Sequence, residues 1–244
     1  MAYLIGNGTI YGTSGNDTIY GGNGDDMLYG GAGNDYIDGG FGFDVIDGGT
    51  GIDTTSYAFY AGPIDADLAN GVVKFPGNTV YTDTLVSIEN LIGTAGDDKI
   101  TGSAVSNVLT GGAGNDTING GGGNDKIYGG AGADTMTGGA GADKFIFLST
   151  ADSSAGSSRD VILDFANGTD KIDLSKIDAN TLAAGNQAFT LIGSNANFTS
   201  AGQIKFVSGT AGGILYGDVN GDHVEDFSIS LAGVHSVTAS DFIL

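Results

Sequence analysis

The chain has no cysteine, two histidines, and eight basic residues against 29 acidic ones, and each shortage closes a class of function. Without cysteine there is neither a disulfide framework nor a thiolate metal site. His223 and His235 are too few for a three-histidine zinc site, and no H-E-x-x-H helix is present. No G-x-S-x-G elbow occurs, and no G-x-G has a further glycine three residues on, so hydrolase and dinucleotide-binding signatures are missing. A formal charge of −21 disfavours nucleic acid and anionic membranes as partners. No stretch approaches the roughly 20 apolar residues of a membrane span. The opening MAYLIGNGTIYG lacks the basic and apolar regions of a secretory signal peptide, so export would use a different signal.

Glutamate is scarce as well. Of the 29 acidic residues only Glu89 and Glu225 are Glu, which points to short carboxylates placed in tight turns rather than to a solvated acidic surface.

What the chain does have is glycine, 46 residues of it, in a fixed period. Residues 111 to 146 read GGAGNDTIN, GGGGNDKIY, GGAGADTMT and GGAGADKFI: four nonamers with Gly at places one, two and four, Asp at six and an apolar residue at eight. The glycines permit positive-φ turns, and the residues after the turn alternate polar, apolar, polar as a short strand with one side chain facing inward. A flexible Gly-rich linker has no reason to hold Asp and an apolar residue in phase.

Coiled so that two nonamers make one turn, repeat n lies beside repeat n+2 at about 4.8 Å. The sixth-place Asp residues then form two carboxylate columns, in which neighbours repel by about 3 kcal/mol at an effective dielectric of 20. With no basic residue inside the turns, a cation is required. Carboxylates with glycine-loop carbonyls make an all-oxygen shell suited to Ca²⁺, whereas Zn²⁺ or Cu²⁺ would want His or Cys.

This pattern resembles that of the RTX (repeats-in-toxin) proteins. The resemblance implies an all-β fold, a right-handed parallel β-roll with Ca²⁺ between turns n and n+2. Turn n would give carbonyls from places two and four plus its Asp, and turn n+2 carbonyls from places one and three plus its Asp. Carried over, Gly112, Gly114 and Asp116 share an ion with Gly129, Ala131 and Asp134, and Gly121, Gly123 and Asp125 share one with Gly138, Ala140 and Asp143. In the earlier block the same rule marks Gly12, Ser14 and Asp17; Gly22, Gly24 and Asp26; Gly31, Gly33 and Asp35; Gly39, Phe41 and Asp44; and Gly48, Thr50 and Asp53. Gly96 and Asp98 open the second block.

In chain order, residues 1–56 form the first repeat block. YLIGNGTIY is a metal-poor first rung with Gly8 where Asp belongs, and the inward places Ile19, Leu28, Ile37 and Ile46 fail at Thr55, where the roll should begin to lose its core. Residues 57–92 lack the motif, yet their length of 36 is four nonamers, so either the roll continues here as irregular coils or a loop bulges out and returns, with partial continuation favoured. Residues 93–146 form the second block, in which Val105 and Asn107 replace Gly and Asp, so that turn should bind weakly or not at all. Ile118, Ile127, Met136 and Phe145 point inward, the last suggesting a core that widens to meet another domain.

Residues 147–244 read as strands between Gly/Asn/Asp turns, with at most a short helix near 178 to 184. DVILDF, DKIDLS, GDVNGD, EDF and the final DFIL make this part similar to the C-terminal domain of the serralysin-type metalloproteases, which implies a β-rich cap. Asp218, Asn220, Asp222 and Asp226 have EF-hand spacing at places one, three, five and nine, but His223 and Ile229 stand at six and twelve, so an ion and a plain hairpin turn both fit.

The functional expectation is a secreted, extracellular bacterial Ca²⁺-binding module without catalysis of its own, exported through a type I secretion transporter by its C-terminal Asp241, Phe242, Ile243 and Leu244. It is either complete or the tail of a larger exoenzyme to which an enzyme domain is covalently linked, such as a serralysin-like protease, an RTX lipase or an alginate epimerase. An adhesin or other surface interaction protein is the alternative. Asp pairs recur at nearly every turn, and a catalytic pair is needed once, so repetition favours structure.

Overall fold

The computed structural model describes residues 2–244, and the side chains of all of these except residues 78–81. Its regular structure is almost entirely strand, in two sheets of 10 and 14 strands. Consecutive nonamers alternate between the sheets, so each strand pairs in parallel with the one 18 residues away: Thr18–Asn23 lies on Tyr36–Phe41, and Val108–Ala113 on Lys126–Ala131. The eighth-place residue of every strand faces the space between the sheets. In the 10-stranded sheet that column runs Ile19, Ile37, Thr55, Leu91, Leu109, Ile127, Phe145, Ile172 and Phe242. The opposite sheet contributes Leu28, Ile46, Leu85, Ile100, Ile118, Met136, Ile162 and Leu231. All are buried. The core is thus one side chain wide per strand, with little apolar area to offset chain entropy.

The core does not fail at Thr55. That residue is fully buried between Ile37 and Leu91, and the column resumes with leucine on the next strand. Nor are residues 57–92 merely irregular coils. In the 10-stranded sheet the single short strand Asn90–Ile92 carries the parallel ladder from Thr54–Ser56 to Val108–Ala113. In the other sheet Asp65–Asp67, Val72–Phe75 and Asn78–Val86 form an antiparallel meander between Val45–Thr50 and Lys99–Ser103.

Past residue 146 both ladders continue before they end. Asp160–Ile162 and Phe227–Ala232 add parallel strands to the 14-stranded sheet, and the latter turns into an antiparallel sheet with Gly212–Asp218 and Gln203–Gly209. Lys171–Asp173 and Phe242–Ile243 complete the 10-stranded sheet. Phe165 packs against Phe145 at a ring separation of 6.3 Å, so the widening core meets the cap. Residues 178–184 are turns and not a helix, since Asp178 and Asn180 side chains accept the N–H groups of Asn180 and Leu182 and stop a helical ladder before it starts. At the opposite end Tyr3–Ile5 and Thr9–Tyr11 form the first rung, with Tyr3, Ile5 and Tyr11 about two-thirds exposed or more (68%, 69% and 70%). Among the described residues no helix is long and apolar enough to cross a membrane.

Because Ile127 fills one rung of so thin a core, Ile127→Ala should lower stability by about 2–5 kcal/mol, read from urea midpoints in Ca²⁺. In the opposite sheet the exposed, outward Thr117→Ala should stay within about 0.5 kcal/mol.

Candidate metal centres

Most strands of the nonamer repeats are entered through the sixth-place carboxylate, and these line up as two buried columns. One Asp oxygen, Oδ1, accepts the backbone N–H of the matching Asp one turn earlier: Asp17 to Asp35 (2.7 Å), Asp35 to Asp53 (2.7 Å), Asp98 to Asp116 (2.8 Å), Asp116 to Asp134 (2.8 Å), Asp125 to Asp143 (2.9 Å). Asp26 donates likewise to Asp44 at 3.0 Å, and Gly8, standing where the first rung lacks Asp, to Asp26. The other oxygen, Oδ2, has no hydrogen-bond partner at Asp26, Asp35, Asp44, Asp53, Asp116, Asp125, Asp134, Asp143 and Asp160. Such a buried, unpaired acceptor costs about 1–3 kcal/mol, and more when charged.

These orphaned oxygens share one address. In the repeats each lies where a side chain on the first-place glycine of its own nonamer would stand, and at Asp26, Asp35, Asp116 and Asp125 it shares that place with the first-place carbonyl of the next turn. Asp116 Oδ2 and the Gly129 carbonyl crowd Gly111, Asp125 Oδ2 and the Gly138 carbonyl crowd Gly120, and Asp35 Oδ2 and the Gly48 carbonyl crowd Gly30. A methyl group on any of these glycines would collide with both oxygens, so glycine there keeps room for the donors. From below, second- and fourth-place carbonyls of turn n face turn n+2: those of Gly112 and Gly114 abut Gly130 and Gly132, those of Gly121 and Gly123 abut Gly139 and Gly141, and those of Gly22 and Gly24 abut Gly40 and Gly42. The third-place carbonyls of Phe41, Thr50, Ala131 and Ala140 accept N–H groups from Gly24, Gly33, Gly114 and Gly123 at 2.6–2.9 Å, which leaves each a second lone pair.

The residues read from the sequence are therefore brought together turn by turn: Gly22, Gly24 and Asp26 against Gly39, Phe41 and Asp44, and Gly31, Gly33 and Asp35 against Gly48, Thr50 and Asp53. Gly12 and Ser14 differ, because the neighbour beyond their turn is the strand Tyr3–Ile5 and not a nonamer. Among the described residues no three His, Cys, Asp or Glu side chains converge on a point. An ion between turns would have at most two carboxylates and otherwise carbonyls, a hard oxygen set that fits Ca²⁺.

Three turns are built differently. Where place two is Thr or Ser, its own groups satisfy the side chain at place six: Thr13 N–H and hydroxyl reach Asp17 Oδ2 (2.6 and 2.8 Å), Thr94 N–H and hydroxyl reach Asp98 (2.6 and 2.9 Å), and Ser103 N–H reaches Asn107 Oδ1 (2.7 Å). None of the three adopts the positive φ found at the second-place glycines. Asn107 goes further, its amide donating to the Glu89 carbonyl at 2.6 Å. An N–H group there supplies the positive charge density that other turns lack.

The columns also extend beyond the repeats. Asp44 donates to Asp83, Asp53 to Glu89 Oε2, Asp134 to Asp160 and Asp143 to Asp170, at 2.8–3.0 Å. Sequence reading passed over these four acceptors because the glycines are missing. Their signal was the triplet acid, any residue, apolar residue, with Leu85, Leu91, Ile162 and Ile172 two positions on in the inward column.

The 218–226 loop closes on itself. Asp218 accepts N–H groups from Asn220 (3.2 Å), Gly221 (2.7 Å) and His223 (3.1 Å), and Asp226 accepts Val219 N–H and the Asn220 amide (both 2.7 Å). Its carboxylates are already spent on a polar hairpin turn.

Burial, and then the neighbouring carboxylates, push Asp116 and Asp160 up to about 8 and Asp44 to about 7, and burial pushes Asp125 and Asp134 to about 6. At Asp17 burial also raises the pKa, but the bonds from Ala2 and Thr13 outweigh it and the net shift is downward.

A family profile described as peptidase M10 serralysin C terminal matches residues 9–244. The chain belongs to that family. It is 35% identical over 94 residues to Metallopeptidase AprA of Pseudomonas marginalis, a match spanning 38% of this chain and only 18% of that protein. Among solved structures it is similar to the AlgE6R2 subunit of the Azotobacter vinelandii Mannuronan C5-epimerase (30% identity, TM-score 0.48, 64% of this chain and 91% of that one). The AlgE6R3 subunit gives 29% and 0.45 over 60% and 78%, and the extracellular lipase LipA from Serratia marcescens 20% and 0.39 over 97% and 39%.

A carboxyl group whose pKa is raised by folding holds more protons folded than unfolded, so its contribution to stability is lost as pH rises through the folded value. Without metal, the protein should be more stable near pH 4 than near pH 8, losing stability across the range from the ordinary 3.8 to about 8. With saturating Ca²⁺ the slope should reverse, because a cation needs the ionised form. Thermal melts at both pH values, with Ca²⁺ and with chelator, check the crossing.

Proposed function

We propose that the protein is a calcium-folded RTX module of a secreted bacterial protein. The observation that carries this reading is the set of buried Asp Oδ2 atoms without partners, five of which (Asp26, Asp35, Asp53, Asp116 and Asp125) stand beside a backbone carbonyl from the next turn. Calcium stabilises the folded form only, so millimolar Ca²⁺ outside a cell folds what the low cytosolic level leaves open. On this reading the chain divides into repeat blocks 1–56 and 93–146, the joining segment 57–92 and the cap 147–244. The module has no catalysis of its own and is covalently joined to, or secreted alongside, an enzyme such as the metallopeptidase it partly matches.

The proposed export route is a type I transporter that reads the C-terminal residues Asp241, Phe242, Ile243 and Leu244. Those residues are also structural: Asp241 accepts N–H groups from Gly168 (2.8 Å) and Thr238 (2.7 Å), and Phe242–Ile243 is the last strand of the 10-stranded sheet.

Circular dichroism should show the β signal lost in chelator and restored by Ca²⁺; an unchanged signal in chelator would sink the reading. Within the folded protein, Asp125→Ala should raise the Ca²⁺ midpoint of folding at least several-fold, because Asp125 serves the gaps on both sides of it. Asn107→Ala should raise it less, since Asn107 already occupies its gap with an amide. Deleting residues 241–244 should abolish secretion through a compatible transporter, and normal secretion of the shortened chain would remove the export claim.

A further inference from the structure

We infer that residues outside the nonamer repeats build one more site for a hard divalent cation, at the seam between the two repeat blocks: Asp53 Oδ2, the Ser87 carbonyl and the Glu89 carboxylate. The inference rests on the reading of the nonamer turns as calcium sites and adds to them a site with no repeat on its far side.

The first argument is positional equivalence. In turn 30–38, Gly30 is crowded by Asp35 Oδ2 and by the Gly48 carbonyl. One turn later Gly48 is crowded by Asp53 Oδ2 and by the Ser87 carbonyl. Ser87 belongs to no glycine turn, yet its oxygen stands where the first-place carbonyl of the next nonamer stands elsewhere. Asp53 is fully buried and its Oδ2 has no partner.

The second argument is conformational. Ser87 has φ of +51°, and among the described residues only His223 is another non-glycine with positive φ. A serine held there is strained, and the surrounding structure must offset that strain. His223 does so through a hydrogen-bonded turn, whereas at Ser87 the conformation goes with a carbonyl pointed at the orphaned Asp53 oxygen.

Glu89 supplies the third ligand. Its Oε2 accepts Asp53 N–H at 2.8 Å, the task done in the repeats by the Asp of turn n+2. Gly49 and Gly51, at places two and four of the same turn, keep the positive φ (+92° and +145°) of turns that present carbonyls forward. The other three exits from the repeats lack this completeness. The atoms nearest Gly39, Gly129 and Gly138 come from their own Asp44, Asp134 and Asp143 alone, with no carbonyl among them. The seam site would tie strand Thr54–Ser56 to Asn90–Ile92 and so couple the first block to the second across the meander.

Native mass spectrometry of the full chain in Ca²⁺ tests the assignment. Glu89→Gln keeps an oxygen to accept Asp53 N–H but removes the charge, and should bind one ion fewer than wild type. Ser87→Gly keeps the carbonyl and relieves the strain, and should bind the wild-type number. Equal counts for Glu89→Gln and wild type would overturn the seam site while leaving the nonamer sites standing; no bound Ca²⁺ on wild type would overturn the underlying reading instead. Should Glu89→Gln fail to fold in Ca²⁺, anomalous scattering from wild-type crystals grown in Ca²⁺ decides. A peak between Asp53, Ser87 and Glu89 is expected, and peaks in the nonamer turns with none at the seam would reject the site.

Discussion

An aspartate has two oxygens, and this fold uses one. Each sixth-place Asp spends Oδ1 on the backbone N–H of the turn before it, which locks consecutive turns of a face in register and buries the carboxylate. The second oxygen is then carried into the interior with nothing to bond, beside carbonyls that repel it. Glycine at the first place follows from that crowding, and the raised pKa values follow from the burial. A core one residue wide cannot absorb so many unpaired acceptors on apolar area alone, so the folded state needs protons or cations between its turns.

The exceptions show the same constraint from the other side. Both blocks contain turns with a hydroxyl at place two, Thr13 in the first and Thr94 and Ser103 in the second, and there the carboxylate or amide is satisfied from within its own turn. Each of these turns begins a run of nonamers on its face, following a strand of another kind: Tyr3–Ile5, Asp65–Asp67 and Asn90–Ile92 respectively. A turn that is complete without metal gives the next a formed surface on which to stack. Nucleation is the costly step of any repeat array, so self-satisfied turns at the start of a run lower that cost where it is highest.

The repeats and the inward column were legible because their periods are exact: glycine, Asp and the apolar residue recur together, and each constrains the others. Thr55 misled because the inward place was judged by polarity alone, whereas a small β-branched residue fits between Ile37 and Leu91 when both neighbours are large. Asp83, Glu89, Asp160 and Asp170 were invisible to a glycine-based motif. Pairing with a preceding Asp needs only a carboxylate one residue before the strand and an apolar residue inside it, so the columns outlast the glycines by one turn at each exit. The 218–226 spacing looked like a cation loop because Asn and Asp build both, and only the backbone decides whether their oxygens point at N–H groups or at a common centre.

The two ends of the chain's fold are unequal, and the difference bears on the order of events. At one end the first rung presents Tyr3, Ile5 and Tyr11 to solvent, while at the other both sheets run into cap strands contributed by residues far apart in sequence. The last strand, Phe242–Ile243, can pair with Lys171–Asp173 only after the whole cap has been traversed. On the proposed export route this placement removes a conflict between signal and structure. On that proposal a last strand that docks late would stay accessible while the roll is unformed, and the proposed calcium dependence would keep the roll unformed while calcium is scarce. Under the proposed function the same four residues would be read in an open chain first and close the sheet afterwards, with calcium separating the two uses in time.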